Sequence, residues 1–227
     1  MKKLLAILLA CTALTCSFAG CGSKDSSDNG GSSAVEEAKS PVVGTWKLTG
    51  ESFDDLKKET DERDWKLKEV ILETDNEGNM TFTIRCETYG NCYLTEDTFY
   101  MGNNQFPVEY KENKVIIENG GKKEEVLEKI GDVDENDRNG VYKVLNPELK
   151  KATGLDTDTT MTFEFISKDE SYWCILDEGK YEYNEEEKKM LCDIDSYDHG
   201  YAAIEFDGNK MLMTDNEGVV DEFIRIN

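Results

Sequence analysis

From about residue 43 to its end the chain alternates apolar and polar positions with a period of two, interrupted at short intervals by Asn, Asp and Gly. In Thr45-Trp46-Lys47-Leu48 the Trp and Leu side chains fall on one side of an extended backbone and Thr and Lys on the other, the pattern of a half-buried strand. The same pattern predicts strands near 43–50, 68–75, 79–86, 92–101, 106–111, 113–118 and 123–130. It resumes near 140–145, 160–167, 171–177, 180–184, 188–194, 201–206, 210–214 and 219–226. Turns fall at Asn76-Glu77-Gly78-Asn79, Tyr89-Gly90-Asn91, Asn119-Gly120-Gly121, Asp207-Gly208 and Asn216-Glu217-Gly218, where Gly and Asn accept a positive φ. Two stretches depart from the strand period. Phe53 to Trp65 is charged, with Asp55-Leu56-Lys57-Lys58 suggesting a short helix over a barrel end. Pro147 to Thr153 places proline in a first helical turn. Trp65 is read as packing beneath the first helix; stacking on a ligand is the competing reading.

The pattern is written twice. Gly44, Trp46, Lys47 and Leu48 map onto Gly140, Tyr142, Lys143 and Val144 at a spacing of 96, and Val108 to Ile117 maps onto Ile204 to Met213 at the same spacing. Leu127 to Ile130 falls on Phe223 to Ile226 with that spacing again, while Asp55 to Lys58 matches Glu148 to Lys151 at 93. Units of this length are whole small domains rather than solenoid repeats.

The segment Gly44-Thr45-Trp46-Lys47-Leu48, the Gly-Asn-Lys hairpin and the closing Phe223-Ile224-Arg225-Ile226 resemble the small lipocalin-like domains of bacterial lipoproteins. The resemblance implies an all-β fold of two tandem small antiparallel lipocalin-like β-barrels, each with a short helix after its first strand, over residues 41–131 and 138–227. It also implies that the G-x-W tryptophan closes one barrel end under a basic residue of the last strand. Trp46 would then pair with Lys129, and Tyr142 with Arg225, a cation over an aromatic face. The second copy has tyrosine for tryptophan, and the first has lysine for arginine.

Lys2 and Lys3, an apolar run from Leu4 to about Leu14, and Phe18-Ala19-Gly20-Cys21 have the layout of a secretory signal over residues 1–20. Small residues directly before Cys21 resemble a lipoprotein processing site, which implies a lipid on Cys21 and a place on the extracytoplasmic face of a cell membrane. Cleavage near Ala19 with a free Cys21 is the competing reading. Two acyl chains on one residue anchor durably where one is marginal. Residues 21–40, rich in Gly, Ser and Asp, form a flexible tether.

Composition then narrows the partners. A formal charge of -23, two units more negative once Lys2 and Lys3 leave, repels nucleic-acid phosphates and anionic headgroups, so nucleic acid is not expected as a partner. Four cysteines follow Cys21. Cys86 and Cys92 flank the turn at Gly90 and are candidates for a cross-strand disulfide, buried thiols being the alternative. Cys174 and Cys192 lie on strands expected apart. Zinc is not expected, because neither pair has C-x-x-C spacing and His199 is the only histidine.

Asp132, Asp134 and Asn136 alternate as in a calcium loop, but Asp137 stands where that loop needs glycine, so 131–139 reads as a joint. Asp193, Asp195, Asp198 and His199 read as a solvated loop among 49 carboxylates. Phosphate-loop, nucleophile-elbow and zincin motifs are missing from the sequence. The expectation is a monomeric, non-catalytic protein without cofactor or metal that binds a small apolar ligand or an envelope component. A filled interaction module is the alternative, and a carboxylate-dependent hydrolase a distant third.

Overall fold

A computed structural model describes residues 40–63, 65–88, 90–119, 121–131, 137–156, 159–194 and 200–227. Cys21 and the rest of the signal and tether through residue 39, most of the acidic joint (132–136), and Asp195, Asp198 and His199 lie outside the described residues. In chain order the elements are β1 (Gly44–Thr49), α1 (Gly50–Asp61), β2 (Lys66–Thr74), β3 (Asn79–Glu87), β4 (Cys92–Leu94), β5 (Thr98–Met101), β6 (Asn104–Lys111) and β7 (Lys114–Asn119). There follow β8 (Lys122–Lys129), β9 (Gly140–Val144), α2 (Pro147–Ala152), β10 (Thr160–Phe165), β11 (Ser171–Asn184), β12 (Lys189–Asp193), β13 (Tyr201–Asp207), β14 (Lys210–Thr214) and β15 (Val220–Arg225). Among the described residues no helix is long and apolar enough to cross a membrane.

All fifteen strands pair antiparallel in the order β12-β13-β14-β15-β1-β2-β3-β11-β10-β9-β8-β7-β6-β5-β4, and a further pairing of β12 with β11 closes the first eight into a barrel. Around that barrel the strands run β1, β2, β3, β11, β12, β13, β14, β15, each beside its predecessor. Strands β4 to β10 are therefore one contiguous insertion between β3 and β11. They continue the sheet from β11 as a second curl whose last strand is β4.

The expectation of two tandem barrels is corrected by this pairing. Closure within the first repeat would set β1 against β8; instead β1 lies on β15, with Trp46 opposite Arg225 and Leu48 opposite Phe223. β8 lies on β9, with Lys129 opposite Tyr142. The physical reason is that β8 and β15 end on equivalent sequences, Leu127 to Ile130 and Phe223 to Ile226, so either presents β1 with the same apolar and basic edge. Non-local topology decides between them. The single closed barrel draws its first three strands from one repeat and its remaining five from the other.

Two departures in strand length fix that topology. The predicted strand at 92–101 breaks into β4 and β5, because the Thr95 hydroxyl accepts from the Thr98 amide and donates to its carbonyl, folding the chain into a turn. Conversely, the predicted strands at 171–177 and 180–184 fuse into β11. Its first half pairs with β10 and its second with β12 along the same edge, while β3 lines the opposite edge. Gly179 sits at the changeover. A Cβ there would fall 2.1 Å from the Asp193 carbonyl oxygen and 2.5 Å from Ile194 Cγ2, so only glycine lets the 193–194 segment cross.

The inward residues form one continuous core. Trp46, Leu48, Leu72, Met80, Phe82, Met211 and Phe223 fill the closed barrel and are almost wholly buried. Each such side chain contributes about 1.5–3 kcal/mol over an exposed one, which favours a packed interior in so narrow a barrel. Helix α1 starts directly after β1 and lays Ser52, Leu56 and Thr60 onto the sheet, with Ser52 Oγ donating to the Val220 carbonyl at 3.1 Å. In α2 the Asn146 side chain caps the amides of Glu148 and Leu149, the position of Pro147 matching the sequence expectation.

Candidate functional site

Each basic residue predicted to cover a ring does so, but over the other repeat's ring. The Arg225 guanidinium lies 4.2 Å from the Trp46 ring centroid and donates to the carbonyls of Val43 (2.9 Å) and Pro41 (2.6 Å). The Trp46 indole donates to the Val42 carbonyl at 2.8 Å. Lys129 Nζ lies 5.8 Å from the Tyr142 centroid and donates to the Asp137 carbonyl at 2.7 Å. The expected pairs, Trp46 with Lys129 and Tyr142 with Arg225, are thus exchanged, because β1 and β9 swapped partners. Gly44 is needed where it stands, because its φ of 150° is one that other residues rarely adopt; a Cβ would also lie 2.9 Å from Arg225 Nη1.

The disulfide expectation rested on Cys86 and Cys92 facing each other across a hairpin, and that premise is corrected. Cys86 on β3 stands opposite Leu67 and Trp173, and Cys92 on β4 opposite Met101. Cys86, Cys92, Cys174 and Cys192 are all buried free thiols. Burial pushes the thiols of Cys86, Cys92 and Cys192 up to about 12 and that of Cys174 to about 11. At neutral pH they are protonated and behave as small apolar groups.

The place where chemistry gathers is the second curl. It cannot close as the barrel does, because the edge of β11 that β4 would need already carries β3. Among the described strands β4 pairs only with β5, and the gap beside β10 and β11 opens into a cavity of about 470 Å³. Its wall comprises Arg63, Trp65, Thr88, Cys92, Met101, Thr153, Gly154, Phe163 and Trp173.

Local structure places each group. Helix α1 ends in a turn in which the amides of Arg63 and Trp65 both donate to the Thr60 carbonyl, at 3.0 and 2.8 Å. That turn aims the Trp65 indole into the curl, edge-on to Trp173 with centroids 4.9 Å apart and planes at 86°. The Arg63 guanidinium carbon lies 5.6 Å from the Trp65 ring centroid. The turn after α2 supplies Thr153 and Gly154, so the segments that follow the equivalent helices of the two repeats line the same cavity. Thr153 Oγ1 donates to the Lys150 carbonyl at 2.7 Å. Thr88 and Ser171 share a 2.7 Å hydroxyl pair where β3 meets β11.

Trp65 is only 6% exposed, as a core residue would be, and it also lines the cavity. Sequence reasoning missed Trp173, Phe163, Met101 and Arg63. One signal was available: Tyr172-Trp173-Cys174-Ile175 is apolar at every position, and all four are buried, the mark of a strand covered on both faces. Among the described residues no group of three or more His, Cys, Asp or Glu side chains is placed to hold a metal. Comparison of the chain with protein-family models, with curated proteins and with solved structures finds no match.

Proposed function

We propose that the protein is a non-catalytic, lipid-anchored envelope protein that holds a small apolar ligand in the open curl of its sheet. The observation that carries this reading is the cavity itself. Its 470 Å³ lies within the range of about 300–1,000 Å³ usual for small-molecule sites, and its wall sets three aromatic rings, Met101 and Cys92 beside the polar Arg63, Thr88 and Thr153. The packed barrel beside it acts as the rigid support. The basic and apolar N-terminal segment and Cys21 support the anchor, and the acidic surface supports a role without nucleic acid.

Native mass spectrometry of the protein with envelope lipid extract tests the ligand. The expected result is a discrete non-covalent adduct that disappears when Met101→Trp fills the cavity. An apo mass in both proteins, with the variant as stable as its parent, would move the function to the outer surface. The filled interior of the closed barrel favours that second reading for its own half of the molecule. Replacement of Cys21 by Ser is expected to release the protein from the membrane fraction, and retention there would remove the anchor from the proposal.

A further inference from the structure

The cavity wall differs in sign from the molecule around it. The chain carries 49 acidic side chains against 26 basic ones, yet the wall contains one guanidinium, Arg63, and no carboxylate among its described residues. Its polar groups include obligate donors. Arginine and tryptophan side chains only donate hydrogen bonds. The Thr153 hydroxyl spends its proton on the Lys150 carbonyl and Thr88 is paired with Ser171, so the cationic donor of the described wall is Arg63. What the wall offers an incoming molecule is an apolar corner of two perpendicular indoles and Phe163, with a cationic donor fork beside Trp65.

We infer that the ligand is a monoanionic amphiphile, a carboxylate on an apolar body, whose head meets Arg63 while its body lies against Trp65, Trp173 and Phe163. This deepens the ligand-binding reading above and rests on it. The guanidinium fork matches a carboxylate in two parallel hydrogen bonds, a geometry that an ammonium or an alcohol cannot use. Arg63 is held for the task from two directions. The Trp65 face supports its planar group, and its position just past the end of α1 places a positive charge where the helix dipole favours one.

Titration of the purified protein with dodecanoate, dodecanol and dodecyltrimethylammonium, each below its micelle threshold and followed by indole emission, tests the inference. Dodecanoate is expected to bind at least about tenfold more tightly than either analogue, the discrimination one charge-assisted pair supplies. Arg63→Ala and Arg63→Gln are expected to lose that margin for dodecanoate and leave dodecanol unchanged, with Arg63→Lys intermediate. The glutamine variant keeps a stem over Trp65 and serves if the alanine variant does not fold. Equal binding of dodecanoate and dodecanol, unaltered by either Arg63 variant, overturns the anionic ligand and leaves an apolar cavity in use. No binding of any of the three, with indole emission unchanged, overturns the ligand-binding reading as well.

Discussion

Arg225 and Lys129 hold equivalent places in the two repeats but not equivalent jobs. Arg225 ties the strand that closes the barrel to the carbonyls of Pro41 and Val43 while covering Trp46, so its removal leaves two acceptors and a ring face without their partner. The Lys129 ammonium donates to the Asp137 carbonyl at the protein surface and stands farther from its ring. Arg225→Ala is expected to cost about 2–4 kcal/mol in urea unfolding, the range for two charge-assisted hydrogen bonds partly open to water. Lys129→Ala is expected to cost less than about 1 kcal/mol. Equal losses would mean that the arginine contributes only surface charge. The residue types of both pairs were legible from the motif. Which ring each cation covers was not, because that depends on strand pairing between positions 179 residues apart, Trp46 and Arg225.

Strand and helix boundaries were largely legible, since an alternating pattern and Asn/Gly turns are local properties. The two exceptions have opposite sense: a break at Thr95 in the first repeat and a fusion through Gly179 in the second. Neither shows in the hydrophobic pattern, because each depends on one side chain or on the lack of one. The fusion makes β11 the element that two curls share, and Gly179 is its vulnerable point. Gly179→Ala would press a methyl group into the Asp193 carbonyl and Ile194. We expect a loss of about 2–3 kcal/mol, read as a lowered urea midpoint with far-ultraviolet strand signal retained in native buffer. An unchanged midpoint would show that the 193–194 segment can move aside. The cavity was illegible for a related reason: it exists because β3 occupies the edge that β4 would use, and an occupied edge is a fact of topology rather than of any residue in the wall.

For the whole molecule, the repeat and the barrel do not share boundaries. The barrel strands are sequential once β4 to β10 are set aside, and Thr88 already stands beside Ser171, with the Thr88 amide 3.3 Å from the Ser171 carbonyl oxygen. Joining Thr88 to Ser171 through Asn-Gly in place of residues 89–170 is therefore expected to give a barrel that unfolds cooperatively in urea, less stable than the parent because Trp65 and Trp173 lose cover. Residues 138–227 alone, which have neither β1 nor β8 to pair with, are expected not to do so. The reverse outcome, with the excised chain disordered and the 138–227 fragment cooperative, would restore the tandem arrangement. Pairing of β1 with β15 also has a consequence in time. A chain made from its N-terminus must complete nearly its whole length before its first strand meets its last, so the barrel seals late, whereas β4 to β10 can pair neighbour by neighbour as they emerge.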